Sequence, residues 1–131
     1  MYRESSRQTG LCPACKRMLA ESSSGRHRYQ SCQQCHGSLV DHRTLQEMWA
    51  ELAPAGKQME VRRRLGLARH RSCPLCDAQM AFTWVVAVPV DSCELHGIWF
   101  DTEELETALA AAALPLEQWI MQFLDKLRDM T

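Results

Sequence analysis

Cys12-Pro13-Ala14-Cys15 and Cys32-Gln33-Gln34-Cys35 recur 61 residues further on as Cys73-Pro74-Leu75-Cys76 and Cys93-Glu94-Leu95-His96. Both stretches read C-x2-C-x16-C-x2 and then a fourth ligand type. The fixed offset uses all seven cysteines of the 131-residue chain, and His96 fills the one vacancy. Zinc has no d-shell preference and accepts four thiolate or imidazole ligands tetrahedrally. Two ligands separated by two residues sit on one tight turn, and sixteen residues suffice for a β-hairpin that returns the second turn to the first. Four protein ligands leave no position open for water or substrate, the pattern of structural sites rather than catalytic ones. The sequence therefore predicts two structural Zn2+ sites, one at Cys12, Cys15, Cys32 and Cys35, the other at Cys73, Cys76, Cys93 and His96.

Other uses of these cysteines fit less well. An odd count behind a polar, non-secretory start fits a disulfide framework poorly. A redox C-x-x-C centre needs a βαβ context, and none surrounds Cys12 or Cys73. Iron stays open for the four-thiolate site, whereas His96 disfavours it at the second. Zinc deaminase chemistry needs H-x-E and P-C-x-x-C, but here proline follows the first cysteine and no H-x-E exists. Energetics point to metal too. Each repeat has about 60 residues or fewer, where burial alone yields only ~3–5 kcal/mol. Structural zinc supplies on the order of 10–16 kcal/mol, because binding and folding are coupled.

Outward from the ligands, Ser22-Ser23-Ser24-Gly25 reads as a turn between short strands at Arg17–Glu21 and His27–Ser31. In the second repeat Met80, Phe82, Trp84, Val86, Val88 and Val90 alternate as a strand pattern without a Gly or Asn turn, and Pro89 belongs at an edge or bulge. Asp41 caps a helix with a Leu45, Met48, Trp49, Leu52 stripe. Asp101 with Glu104 predicts a capping box for a helix reaching about Ala113. Pro115 then opens an amphipathic helix carrying Leu116, Trp119, Ile120, Phe123, Leu124 and Leu127. His96 is a ligand by register. His36 adjoins Cys35, but the offset favours Cys35, and His27, His42 and His70 read as solvated.

The fold class is thus a small metal-stabilised α+β protein of two tandem zinc ribbons, each followed by a helix. The divisions are an N-terminal tail at 1–10, ribbon 1 with its helix at 11–52 and a basic linker or helix at 53–71. Ribbon 2 with its helix follows at 72–114, then the C-terminal helix at 115–131.

The run Cys73-Pro74-Leu75-Cys76, then Cys93-Glu94-Leu95-His96-Gly97-Ile98-Trp99-Phe100-Asp101-Thr102-Glu103-Glu104-Leu105, resembles the bacterial TFIIB-type zinc-ribbon family. That family shows C-P-x-C, then C-x-x-C/H, a glycine, a tryptophan, an aspartate and E-L. The first repeat is similar but departs in having Leu39 for the tryptophan and Thr44 for the glutamate. The resemblance covers about 70 of the 131 residues. It implies two tandem zinc ribbons and points toward transcription, with no assigned activity to carry over.

Hydrophobic residues make up 46% and charged residues 24%, an ordinary globular balance. No apolar run approaches the ~20 residues that span a bilayer, so a cytoplasmic, non-membrane protein is expected. The net charge of −1 hides a split between +7 over residues 1–71 and −8 over residues 72–131. Zinc with its thiolates lowers the first sum and leaves the polarity standing. The leading expectation is a non-enzymatic adaptor whose protein partner docks on Trp84 or on Leu116, Trp119, Ile120, Phe123 and Leu127. The alternative is a nucleic-acid-binding, transcription-associated module using Arg62, Arg63, Arg64, Arg69 and Arg71 against phosphates. The basic segment also reads as a solvated linker, or as one that pairs with the acidic half within the chain or in a homo-oligomer. No activated nucleophile, open metal position or phosphate loop supports an enzyme.

Overall fold

The computed structural model describes residues 10–63 and 71–113. The residues numbered 64–70 and 114–131, with the first nine, lie outside the described residues. Among the described residues, seven strands and two α-helices follow in the order β1 (Ala20–Ser24), β2 (His27–Ser31), β3 (Ser38–Val40), α1 (His42–Leu52), β4 (Val61–Arg63), β5 (Ala81–Val85), β6 (Val88–Cys93), β7 (Gly97–Phe100) and α2 (Glu104–Ala110). A 3-10 turn over Ala111–Ala113 continues α2.

All seven strands join one antiparallel sheet in the order β1-β2-β3-β7-β6-β5-β4. The order is a mirror of itself about the β3–β7 junction, apart from β4. The repeat explains this. β1 and β5 begin 61 residues apart, as do β2 and β6, and the small bridges Leu11–Met18 and Ser72–Gln79 keep the same offset. The second ligand loop is then one residue shorter in repeat two: Cys32 N–H bonds to Gly37 O, while Cys93 stands opposite Gly97. Beyond it the offset is 60. At the junction Leu39 pairs with Trp99, flanked by Ser38–Phe100 and Val40–Ile98. Equivalent residues therefore face each other, and a local two-fold axis passes between Leu39 and Trp99.

Alternation along the strands separates two cores. Val40, Ile98, Phe100, Val85, Val88 and Val90 face the helices, where Leu45, Met48 and Trp49 of α1 meet Leu105 and Ala108 of α2. On the opposite face Leu39 and Trp99 lie with Leu19, Met80 and four ligand cysteines, Cys12, Cys32, Cys73 and Cys93. Trp99 is fully buried.

Several local expectations change. The first turn is Gly25–Arg26, and Ser22 to Ser24 belong to β1, because Gly25 alone supplies the positive φ of 60°. The second hairpin turns at Val86–Ala87 with Val86 at φ 59°. A β-branched residue is costly there, but Val86 is buried in the helix-side core and its N–H bonds to Glu60 O at 2.7 Å. Pro89 pairs with Trp84 on β5, beyond the stretch of β6 opposite β7, so among the described residues it has no strand partner on its other side.

Asp41 caps α1 by accepting from Thr44 N–H at 2.9 Å, but Leu52 of the expected stripe is exposed. Only half of the Asp101–Glu104 box forms, from Asp101 N–H to Glu104 Oε1 at 2.9 Å. The Asp101 carboxylate is engaged by Arg71 at 2.8 Å and by the Trp99 indole N–H at 3.2 Å.

The described part of 53–71 is neither helix nor free linker. Trp49 Nε1 donates to Lys57 O at 3.0 Å, Lys57 Nζ donates to Ala111 O at 2.7 Å, and β4 adds to the sheet edge at β5.

Candidate metal centre

Three of the four ligand pairs are built by the same local turn. Lys16 N–H bonds to Cys12 O, His36 N–H to Cys32 O and Asp77 N–H to Cys73 O, at 2.9 to 3.1 Å. The residue after the second ligand has positive φ in all four loops, at Lys16, His36, Asp77 and Gly97. This reversal aims backbone N–H groups at the first sulfur of the turn. Cys15 N–H lies 3.3 Å from Cys12 Sγ, and Cys35 and Leu75 N–H lie 3.4 Å from Cys32 and Cys73 Sγ respectively. Such donors stabilise thiolates.

The hairpins then bring the turns together. The ligand atoms of Cys12, Cys15, Cys32 and Cys35 all lie within 4.8 Å of one another, as do those of Cys73, Cys76, Cys93 and His96. A tetrahedral ion bonded at about 2.3 Å to sulfur and about 2.0 Å to nitrogen needs sulfurs ~3.8 Å apart and sulfur–nitrogen distances near ~3.6 Å. The structure gives 3.7 Å for Cys12–Cys35 and for Cys76–Cys93. Cys73 and Cys93 each stand 3.6 Å from His96 Nδ1. Disulfides, at about 2.05 Å, are not formed. Both clusters can hold a metal ion, two ions in all, through the eight residues the repeat picks out. His36 is exposed beside the first cluster and outside it.

Electrostatics within each cluster are uneven. Burial pushes the Cys32 thiol up, but the N–H groups of Cys35 and Gln34 outweigh it and bring the thiol down to about 7. At Cys93 burial is outweighed by His96 and by the backbone N–H groups of the loop, again to about 7. Burial, reinforced by neighbouring thiols, pushes Cys35 and Cys73 up to about 12. The clusters also differ in access. Cys15 is half-buried, whereas its equivalent Cys76 is exposed. A groove of about 700 Å³ opens beside Cys76 and Cys93, walled by His42, Val61, Thr83 and Leu95.

The two sites are tied to each other. His42, first residue of α1, places Nε2 2.8 Å from Cys93 O, and Thr102 Oγ1 donates to Cys35 O. His42 and Thr102 are equivalent positions, each directly after its repeat's aspartate. Each repeat thus contacts the other's ligand loop. The sequence read His42 as solvated, and the residue is exposed, but it also reaches Cys93 O; the signal for that contact was this shared position. His27 is buried rather than solvated, with Nε2 3.0 Å from Glu51 Oε2 on α1.

The arginines diverge. Arg71 lies within the fold, 2.8 Å from Asp101 and 3.3 Å from Asp91, which is itself buried. It is not a surface cation, because the acidic second repeat engages it within the chain. Arg62 is exposed on β4 and pairs with Glu60 at 3.0 Å. Arg63 belongs to β4, while Arg64, Arg69 and His70 fall outside the described residues. Trp84 is half-buried on the face away from the helices and stacks on Phe82 at 6.3 Å. Leu116, Trp119, Ile120, Phe123 and Leu127 also fall outside the described residues. Among the described residues no helix is long and apolar enough to cross a membrane. Comparison of the chain with protein-family models, with curated proteins and with solved structures gives no match.

Proposed function

We propose that the chain is a non-enzymatic double zinc ribbon that serves as a macromolecular adaptor, of the TFIIB-type kind its second repeat resembles. The observation that carries this reading is the tetrahedral spacing of two four-ligand clusters with no ligand position left for substrate. Zinc suits a thiolate-rich set with one imidazole. The fused sheet makes one rigid platform of the two ribbons. Its contact surface is Trp84 with its neighbour Phe82, together with the segment containing Trp119 and Phe123. A transcription-associated, nucleic-acid role is the weaker reading, because Arg71 is committed to Asp91 and Asp101 and Arg62 to Glu60.

The test has two parts. Elemental analysis of the purified chain should give two zinc ions, and none would overturn the ribbon reading. A photo-crosslinking residue at position 84 or 119 in cells should yield protein adducts that survive nuclease and high salt. Adducts lost on nuclease treatment would transfer the function to nucleic acid, and no adduct from either position would remove the proposed surface.

A further inference from the structure

We infer that Cys76 and Cys93 are a site of reversible oxidation by hydroperoxides, through which the second metal ion is released while the first is retained. The inference rests on the metal reading above. Three observations converge on this pair. Cys76 is the exposed ligand of its cluster, whereas its equivalent Cys15 is half-buried. Cys76 and Cys93 both line the groove, so a small oxidant that enters it meets exposed Cys76 with Cys93 beside it. Their Sγ atoms are 3.7 Å apart, close enough for side-chain rotation to bring them to bonding distance. Cys73, the other candidate for pairing, is fully buried and does not line the groove.

The chemistry balances with hydrogen peroxide as the two-electron oxidant. The Cys76 thiolate attacks one peroxide oxygen, the O–O bond breaks, hydroxide leaves and a sulfenic acid remains. The Cys93 thiolate then attacks Cys76 Sγ, forming the disulfide and expelling a second hydroxide. Two thiolates are oxidised and one peroxide is reduced. The ion loses two of four ligands, and Cys73 with His96 alone do not hold it. A dithiol reductant with zinc restores the site.

Site one is the internal control, since it repeats the ligand spacing, with Cys35 in place of His96 and one more residue in its second ligand loop. The zinc-loaded full chain is titrated with hydrogen peroxide in the presence of a chromogenic zinc chelator, and disulfides are mapped by mass spectrometry without reduction. The expected result is release of one of the two zinc equivalents, with a Cys76–Cys93 disulfide and an intact first cluster. Cys76→His, which keeps a ligand and removes the pair, should abolish this early release. Cys15→His should leave it unchanged. Equal release from both clusters, first release from cluster one, or a Cys73–Cys76 disulfide would each overturn the proposal. Should Cys76→His fail to fold, the disulfide map of the unaltered chain decides alone. A chain that binds no zinc before peroxide is added would instead overturn the metal reading.

Discussion

Gly97 lies directly against Val40, so closely that a Cβ on Gly97 would overlap the Val40 carbonyl oxygen. Gly37, its equivalent, is pressed in the same way against the Trp99 ring and Phe100 O. The two glycines that follow the ligand loops are thus where each repeat admits the end of the other's strand. Gly97 also holds φ at 121°, a conformation side chains rarely adopt.

Gly97→Ala is therefore expected to destabilise the chain by about 3 kcal/mol or more, combining backbone strain with overlap across the junction. Gly25→Ala, at a turn with nothing near the added methyl, should cost only on the order of 1 kcal/mol, from its positive φ. Denaturant unfolding of the two zinc-loaded variants checks the contrast, and similar losses would contradict the junction argument.

Arg71 and Arg62 should separate in a stability measurement. Arg71→Met removes the ion pairs to buried Asp91 and to Asp101 and is expected to cost about 3 kcal/mol. Arg62→Met removes an exposed pair with Glu60 and should change stability by less than about 0.5 kcal/mol. Thermal melts at neutral pH read both.

Metal removal should collapse the face that carries the ligands. Trp99 is fully buried among Cys12, Cys32, Cys73 and Cys93, so a strong chelator is expected to shift tryptophan emission to the red and to unfold the chain. Unchanged emission and circular dichroism after verified loss of metal would contradict the dependence of the fold on its ions.

Metal affinity should fall as pH falls, and fall faster below about 7. Thiols bind as thiolates, so protons compete with the ion. Above about 7, Cys32 and Cys93 are already ionised and release nothing on binding. Below that, each must also lose its proton. The slope of log affinity against pH is therefore steeper by one proton per site on the acid side. Competition with a chelator of known affinity from pH 6 to 8.5 measures it, and a constant slope would contradict the assignment.

The ligands, the hairpins and α1 could be read from the sequence because each rests on a local pattern: a two-residue spacing, an alternation, a stripe with Asp41 before it. The junction of β3 with β7 could not. Ser38-Leu39-Val40 is three residues long, and nothing local names a partner 60 positions away. Val86 hid its turn for a related reason, since burial and the bond to Glu60 O stabilise a conformation that local sequence alone would assign to glycine. Asp101 was read as a cap because the motif is local, whereas Arg71, which engages it, is thirty residues away. Arg71 was offered as a phosphate contact, with pairing to the acidic half of the chain as the other reading, and the pairing is the one that forms.

The pairing across Leu39 and Trp99 makes this chain a dimer with a covalent tether. Each half completes its sheet only on the other, and the connection holds the halves at an effective concentration on the order of millimolar. At lower protein concentrations the halves of one chain find each other. At concentrations near that value β3 of one chain would compete for β7 of another, and exchange of halves would be the expected route to a swapped assembly.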